Sequence, residues 1–217
     1  IRRTGQYSNL EVKCQHLTFH VHRCIVCPQS IFFDRAVKGE FKEASSGVIT
    51  IHDDPLIATK MFDFLYSGKY DDRPDVRDDL PDDQDFEAPQ DDTDLQNSPI
   101  PGAFNVRLPA QTNVQVYTIA DKYAIGSLQN LSLKKLESNL NNEWTDLGFL
   151  DTVKDVYEGQ CPPNSDLREL LCKFAIQHLS GLKDSPRFRE VRKKYPEFTD
   201  SLSQLLMERV VELEKFM

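Results

Sequence analysis

Two stretches near the start of the chain alternate apolar and polar residues with period two. Leu10, Val12 and Cys14 alternate with Glu11, Lys13 and Gln15, and Leu17, Phe19 and Val21 with Thr18, His20 and His22. Such runs joined by a short turn predict a β-hairpin. Gln15-His16 lacks the residues that a two-residue hairpin turn favours, which leaves the register open. A short apolar stretch, Ile25-Val26, and Pro28 lead to Ser30. Ser30 reads as the N-cap of a helix carrying Ile31, Phe32, Phe33, Ala36 and Val37, ended by Gly39. Val48 to Ile51 has strand composition, and Pro55 opens a helix with Ile57, Met61, Phe64 and Leu65 on one face, stopped by Gly68.

After a long polar interval, order is expected to return at Phe104 to Leu108. Asn113 reads as the start of a helix with Val116, Ile119, Ala120, Tyr123 and Ala124 on one face. Gly126 and Ser127 punctuate before another helix to about Asn139, and a weaker helical pattern spans Thr145 to Tyr157. The last third is helical. Leu167, Leu170, Leu171, Phe174, Ala175, His178, Leu179 and Leu182 repeat with a 3.6-residue period and predict one buried helix over 167–182. Leu202, Leu205, Leu206, Val210 and Leu213 do the same. No internal repeat of 20–50 residues is present.

Charge changes this picture in one place. The 217 residues net −9, yet residues 71 to 98 hold twelve Asp/Glu and two Arg and carry −10, leaving +1 for the rest. Residues 71 to 103 also contain five Pro and almost no aliphatics, a signature of a disordered surface insertion. That run is either a flexible solubilising loop or a tether for a basic partner. The body is electrostatically neutral, so no nucleic-acid binding is expected. Its one basic cluster is Arg187, Arg189, Arg192, Lys193 and Lys194, diluted by Glu190. It reads as a solvated helix face, as a dock for the acidic insertion, or as a partner contact. With 39% hydrophobic residues the chain can build a core, but no apolar run reaches the ~18–20 residues of a membrane span, and no membrane partner is expected. The chain starts at Ile1 rather than at Met, as a fragment would, and no secretory signal follows Ile1-Arg2-Arg3. Five cysteines, an odd number, fit a reduced intracellular setting, nucleus or cytoplasm, better than a disulfide framework.

The chemistry-bearing residues are few. Cys14, His16, His20, His22, Cys24 and Cys27 lie within fourteen residues, and Cys24-x-x-Cys27 has the spacing of half a zinc site. No second such pair exists, and Cys14 shares the apolar strand face with Leu10 and Val12. These residues therefore read as core cysteines and ordinary polar histidines, with no metal and no cofactor expected. There is no phosphate loop, dinucleotide fingerprint or nucleophile elbow, and no catalytic residue is assigned.

In order and spacing the first part of the chain resembles a BTB/POZ domain. The resemblance rests on Val21-His22-Arg23-Cys24-Ile25-Val26-Cys27, Ser30-x-Phe32-Phe33, Gly39-x-Phe41-Lys42-Glu43, Val48-x-Thr50-Ile51-x-Asp53-Asp54, Phe64-Leu65-Tyr66-Ser67-Gly68-x-Tyr70 and Ala120-Asp121-Lys122-Tyr123-Ala124-Ile125. It implies an α+β fold, a small β-sheet flanked by a helix cluster. This unit is expected over 5–140, interrupted by the acidic insertion at 71–103 and followed by an all-α extension over 141–217. Asn9 stands where the family often has Asp. The resemblance also implies protein partners. In cullin-binding members the loop after the first long helix carries a hydrophobic-x-Glu motif, matched by Phe41-x-Glu43, and the Tyr matched by Tyr123 also touches the cullin. Phe41, Glu43 and Tyr123 are therefore the expected partner-binding residues, Phe41 being exposed in a Gly-led loop unless it folds back onto the domain. The two functions weighed are a substrate adaptor of a cullin-based ubiquitin ligase and an oligomerising scaffold or transcription-associated factor without cullin binding. A homodimer, with Ile25 at its interface, is expected beside either.

Overall fold

The computed structural model describes residues 4–39, 42–73, 108–142, 145–159, 161–163 and 165–215. The hairpin forms as its period-two pattern predicts: β1 (Leu10–Cys14) pairs antiparallel with β2 (Leu17–Val21), from Leu10 opposite Val21 to Cys14 opposite Leu17. That register leaves Gln15-His16 as the two-residue turn, with Gln15 in the left-handed region at φ 51. The Gln15 side chain donates to the Asp53 carbonyl at 3.0 Å, a tertiary contact at a turn whose residues are not those that hairpins favour. β3 (Val48–Ile51) joins the other edge of β1 in parallel, giving the order β2-β1-β3.

A parallel neighbour needs a crossover. Here it consists of α1 (Arg23–Val26), a 3₁₀ turn over Cys27–Gln29, α2 (Ile31–Lys38) and α3 (Lys42–Ser46). Ser30 caps α2 by accepting from the Phe33 amide at 3.2 Å. Asp54 caps α4 (Pro55–Ser67) by accepting from Leu56, and Gly68 closes that helix at φ 71, where a Cβ would be strained. Leu10, Val12 and Cys14 on the covered face of β1 pack with Phe33, Met61, Phe62 and Ile119 in a first apolar core.

The remaining helices are α5 (Pro109–Lys122), α6 (Gly126–Asn142), α7 (Asp146–Glu158), α8 (Asp166–Gln177), α9 (Leu179–Leu182), α10 (Pro186–Lys194) and α11 (Pro196–Glu214). Thr145, Ser165 and Ser185 cap α7, α8 and α10 through their hydroxyls. The α5–α6 hairpin is a wall with a core on each side. Val116, Ile119, Ala120 and Leu128 face the first core, whereas Val114, Tyr117, Leu136 and Leu140 face a second one built with Phe149, Val153, Leu171, Phe174, Phe188 and Phe198.

Four expectations change. Asn113 does not start α5, which begins at Pro109; it is fully buried four residues inside the helix. Its Oδ1 accepts from the Tyr70 hydroxyl at 2.6 Å, and its Nδ2 donates to Asp72 at 2.9 Å and to Asn139 at 2.6 Å. The apolar period over 167–182 is broken at His178, where the chain turns from α8 into α9. The stripe on α11 is buried at Leu202 and half-buried at Leu205 and Leu206, but Val210 and Leu213 are exposed. Finally, Asp71 to Arg73, read as part of the insertion, are described, with Asp72 held by Lys135 at 2.8 Å and by Asn113. The disorder expected of the insertion and the order expected at Phe104 fall on residues 74–107, outside the described residues.

Candidate functional site

The C-terminus of α5 meets the start of α2 and the end of β3 through one tyrosine. Tyr123 is the helix C-cap and only 2% exposed. Its carbonyl accepts from Ser30 Oγ at 2.6 Å, so the hydroxyl that caps α2 also ties it to α5. Its ring stacks on Phe33 at 5.5 Å and meets Phe32 edge-on at 4.9 Å. Its phenol donates to Asp53, whose carboxylate also receives Lys122 Nζ at 2.8 and 3.0 Å. Burial and the Asp53 carboxylate both oppose ionisation of the phenol and push its pKa well above the usual tyrosine value. Cys14 Sγ donates to the Asp53 carbonyl at 3.2 Å, so the second residue after β3 collects contacts from β1, the hairpin turn and α5.

The next residue, Ala124, closes α5 in the left-handed region at φ 52. Ala124 and Ile125 donate to Asp121 and Ala120 at 3.0 and 2.8 Å, a Schellman closure in which glycine is the usual occupant. Ala124 is exposed, although the helical period assigns it to the apolar face. It lines a groove of about 450 Å³ together with Ile31, Phe32, Arg35, Ala36, Glu43 and Ile49. Ile31 is 58% and Phe32 38% exposed, while Phe33 beside them is fully buried. The groove is thus an apolar surface with a carboxylate and a guanidinium at its edge, seated on the Ser30–Tyr123–Asp53 lock.

Of the expected site residues, Glu43 lies on this groove, in the first turn of the short α3 rather than in a loop. Phe41 lies outside the described residues. Tyr123 is not exposed: stacking on Phe33 and the bond to Asp53 hold it inside, so it positions the surface and offers a partner almost no area. Ile25 is half-buried on α1 and does not line this groove. Ile31 and Phe32 were missed as surface residues. The signal was there, since three consecutive apolar residues cannot all face inward on a helix that turns 100° per residue.

The histidines and cysteines do not converge. Among the described residues no group of three His, Cys, Asp or Glu is placed to hold a metal ion. Cys14, Cys161 and Cys172 are buried, Cys27 is half-buried, Cys24 is exposed, and all five are free thiols. Burial pushes up the thiol pKa values of Cys14, Cys27, Cys161 and Cys172, the last to about 11, so these four sulfurs stay protonated near neutrality. His22, read as an ordinary polar residue, is instead 8% exposed. Its Nε2 lies 2.8 Å from the Gln6 carbonyl, which can only accept, so Nε2 donates. Its Nδ1 then accepts from the Tyr66 hydroxyl at 2.7 Å, and that hydroxyl accepts from the His22 amide at 2.9 Å. This imidazole staples the N-terminal segment to α4.

Among the described residues no helix is long and apolar enough to cross a membrane. No curated protein matches the chain. Residues 1–93 match the family model of the BTB/POZ domain. With the three-stranded sheet, the crossover helices and α4 in that span, and helices following it, residues 1–93 carry a BTB/POZ domain, a protein–protein interaction module.

Proposed function

We propose that the chain is an adaptor that binds a cullin through the groove beside Glu43, as part of a ubiquitin ligase. The observation that carries this reading is the exposed pair Ile31 and Phe32 lining one apolar groove with Glu43. Exposed aromatic and aliphatic side chains gathered on a rigid support are what a protein interface uses as anchors. The support here is rigid for a stated reason: Tyr123, Ser30 and Asp53 tie α2, α5 and the end of β3 together. The Phe41-x-Glu43 motif of the sequence supplies a further aromatic two residues before Glu43, and Glu43 on the groove's rim suits a basic partner residue. The work is surface burial rather than bond making, and we place it inside the cell, in nucleus or cytoplasm.

The second reading, an oligomerising scaffold without a cullin, draws on Ile25, whose side chain is partly exposed on α1 next to exposed Cys24. Light scattering of the purified chain, alone and mixed with a cullin N-terminal domain, separates the two. The adaptor reading predicts a stoichiometric complex with the cullin fragment. A chain that self-associates and leaves the cullin fragment at its own mass overturns it.

A further inference from the structure

We propose that the cleft between α7 and α10 is the docking site of the chain's own acid-flanked phenylalanine, residues Asp82 to Glu87. α10 carries Arg187, Arg189, Arg192, Lys193 and Lys194 against the single carboxylate of Glu190, all exposed. Phe188 and Val191 turn inward and hold the helix on the second core. The cleft beside it measures about 280 Å³. Its floor is apolar, from Leu147, Leu150, Val191 and Tyr195, and Leu147 is 49% exposed. Its rim is cationic, from Lys154, Arg187 and Lys194, with Glu190 as the one acid. Lys154 and Lys194 already touch Asp151 and Glu158, whereas Arg187 makes no ion pair among the described residues. An apolar floor inside a cationic rim selects an apolar side chain flanked by carboxylates over either feature alone.

The chain contains such a ligand. Residues 82 to 87 read Asp-Asp-Gln-Asp-Phe-Glu, one aromatic among four acids. They lie between Arg73 and Leu108, the described residues that flank 74–107. Leu108 leads into α5, and Gln111 of that helix donates to Asp155 of α7 at 2.9 Å, one residue from Lys154. The returning chain is therefore anchored on the helix that forms one wall of the cleft. A random coil as long as the stretch from Phe86 to Leu108 spans on the order of 25 Å, and a tether of that reach gives its ligand an effective concentration in the millimolar range, so weak contacts suffice.

The test is fluorescence anisotropy of a labelled peptide with the sequence of residues 80–90, titrated with the full chain. With the internal copy in the cleft, the peptide is expected to bind Phe86→Ala about tenfold or more tighter than the unmutated chain. Lys154→Glu combined with Arg187→Glu, added to Phe86→Ala, should abolish that binding, and so should replacing the phenylalanine in the peptide by alanine. Raising salt from about 0.05 to 0.5 M should weaken it. Both reversed side chains are on the surface, so unchanged circular dichroism is the expected control. Equal affinity for the unmutated and Phe86→Ala chains would mean an open cleft and overturn the internal occupant. A peptide that fails to bind Phe86→Ala, or that tolerates loss of its phenylalanine, overturns the site itself.

Discussion

Replacing Tyr123 by Phe deletes one atom and asks whether the lock under the groove exists. The phenol donates to Asp53, a carboxylate whose side chain is 15% exposed and which keeps Lys122 as a second partner. Stacking on Phe33 and the edge contact with Phe32 do not involve the hydroxyl, and neither does the Ser30 bond to the carbonyl. The variant therefore opens no large cavity and loses one hydrogen bond to a charged group, which is worth about 1.5–3 kcal/mol. In a chain of this size that lowers the thermal midpoint by roughly 3–12 °C. Tyr123→Ala removes the stack as well and should cost about 3–5 kcal/mol. Melting curves of the two variants provide the assay, beside partner titrations of whatever fraction remains folded. Because Tyr123 is buried, Tyr123→Phe should leave partner affinity per folded molecule unchanged. A variant as stable as the unmutated chain, but with weakened binding, would refute the reasoning and return Tyr123 to the interface.

Other outcomes follow from the same physical terms. Asn113→Ala leaves Tyr70, Asp72 and Asn139 each short of a partner and should cost about 3 kcal/mol by denaturant unfolding. Leu171→Ala empties a fully buried position in the second core and should cost roughly 2–5 kcal/mol; a neutral result would mean that α8 is loosely attached. Ala124→Gly relieves a left-handed residue and should stabilise by about 0.5–1 kcal/mol, with a higher midpoint as the readout. Burial raises the pKa values of Tyr70, Tyr117, Tyr123 and Tyr157, Tyr117 to about 12. Raised folded values mean that stability is intact below the unfolded tyrosine pKa of about 10 and is lost as pH climbs above it. The phenolate absorbance of these four tyrosines should accordingly appear together with unfolding, not as a gradual titration of the folded chain.

Most of the fold could be read from local patterns. The hairpin follows from its period-two runs, the α2 and α4 boundaries from Ser30, Pro55 and Gly68, and β3 from its branched residues. What escaped depends on partners distant in sequence. Asn113 carries a strong local capping signal, but its contacts come from Tyr70, Asp72 and Asn139, so the tertiary network overrode the propensity. No Gly or Pro marks the corner at His178. Its ring packs 4.3 Å from Phe174 and the apolar period runs on through Leu179 and Leu182, so periodicity alone could not show the break. The stripe on α11 reports amphipathicity but not where the core ends: Leu202 is buried, whereas Val210 in the same stripe is 54% exposed. Of the two described residues that the family motifs named, Glu43 lines the groove and Tyr123 is buried, a difference that only the tertiary packing decides.

The central claim is that the groove of Ile31, Phe32 and Glu43 is the partner surface, and calorimetric titration against a cullin N-terminal domain tests it most directly. The account predicts saturable binding by the unmutated chain. It predicts a loss of at least about thirtyfold, roughly 2 kcal/mol, for Ile31→Asp and for Phe41→Ala. Glu43→Ala should bring a smaller, salt-dependent loss, and all three variants should melt close to the unmutated midpoint. Binding that survives all three substitutions, or an unmutated chain that gives no heat with the cullin domain, would contradict it.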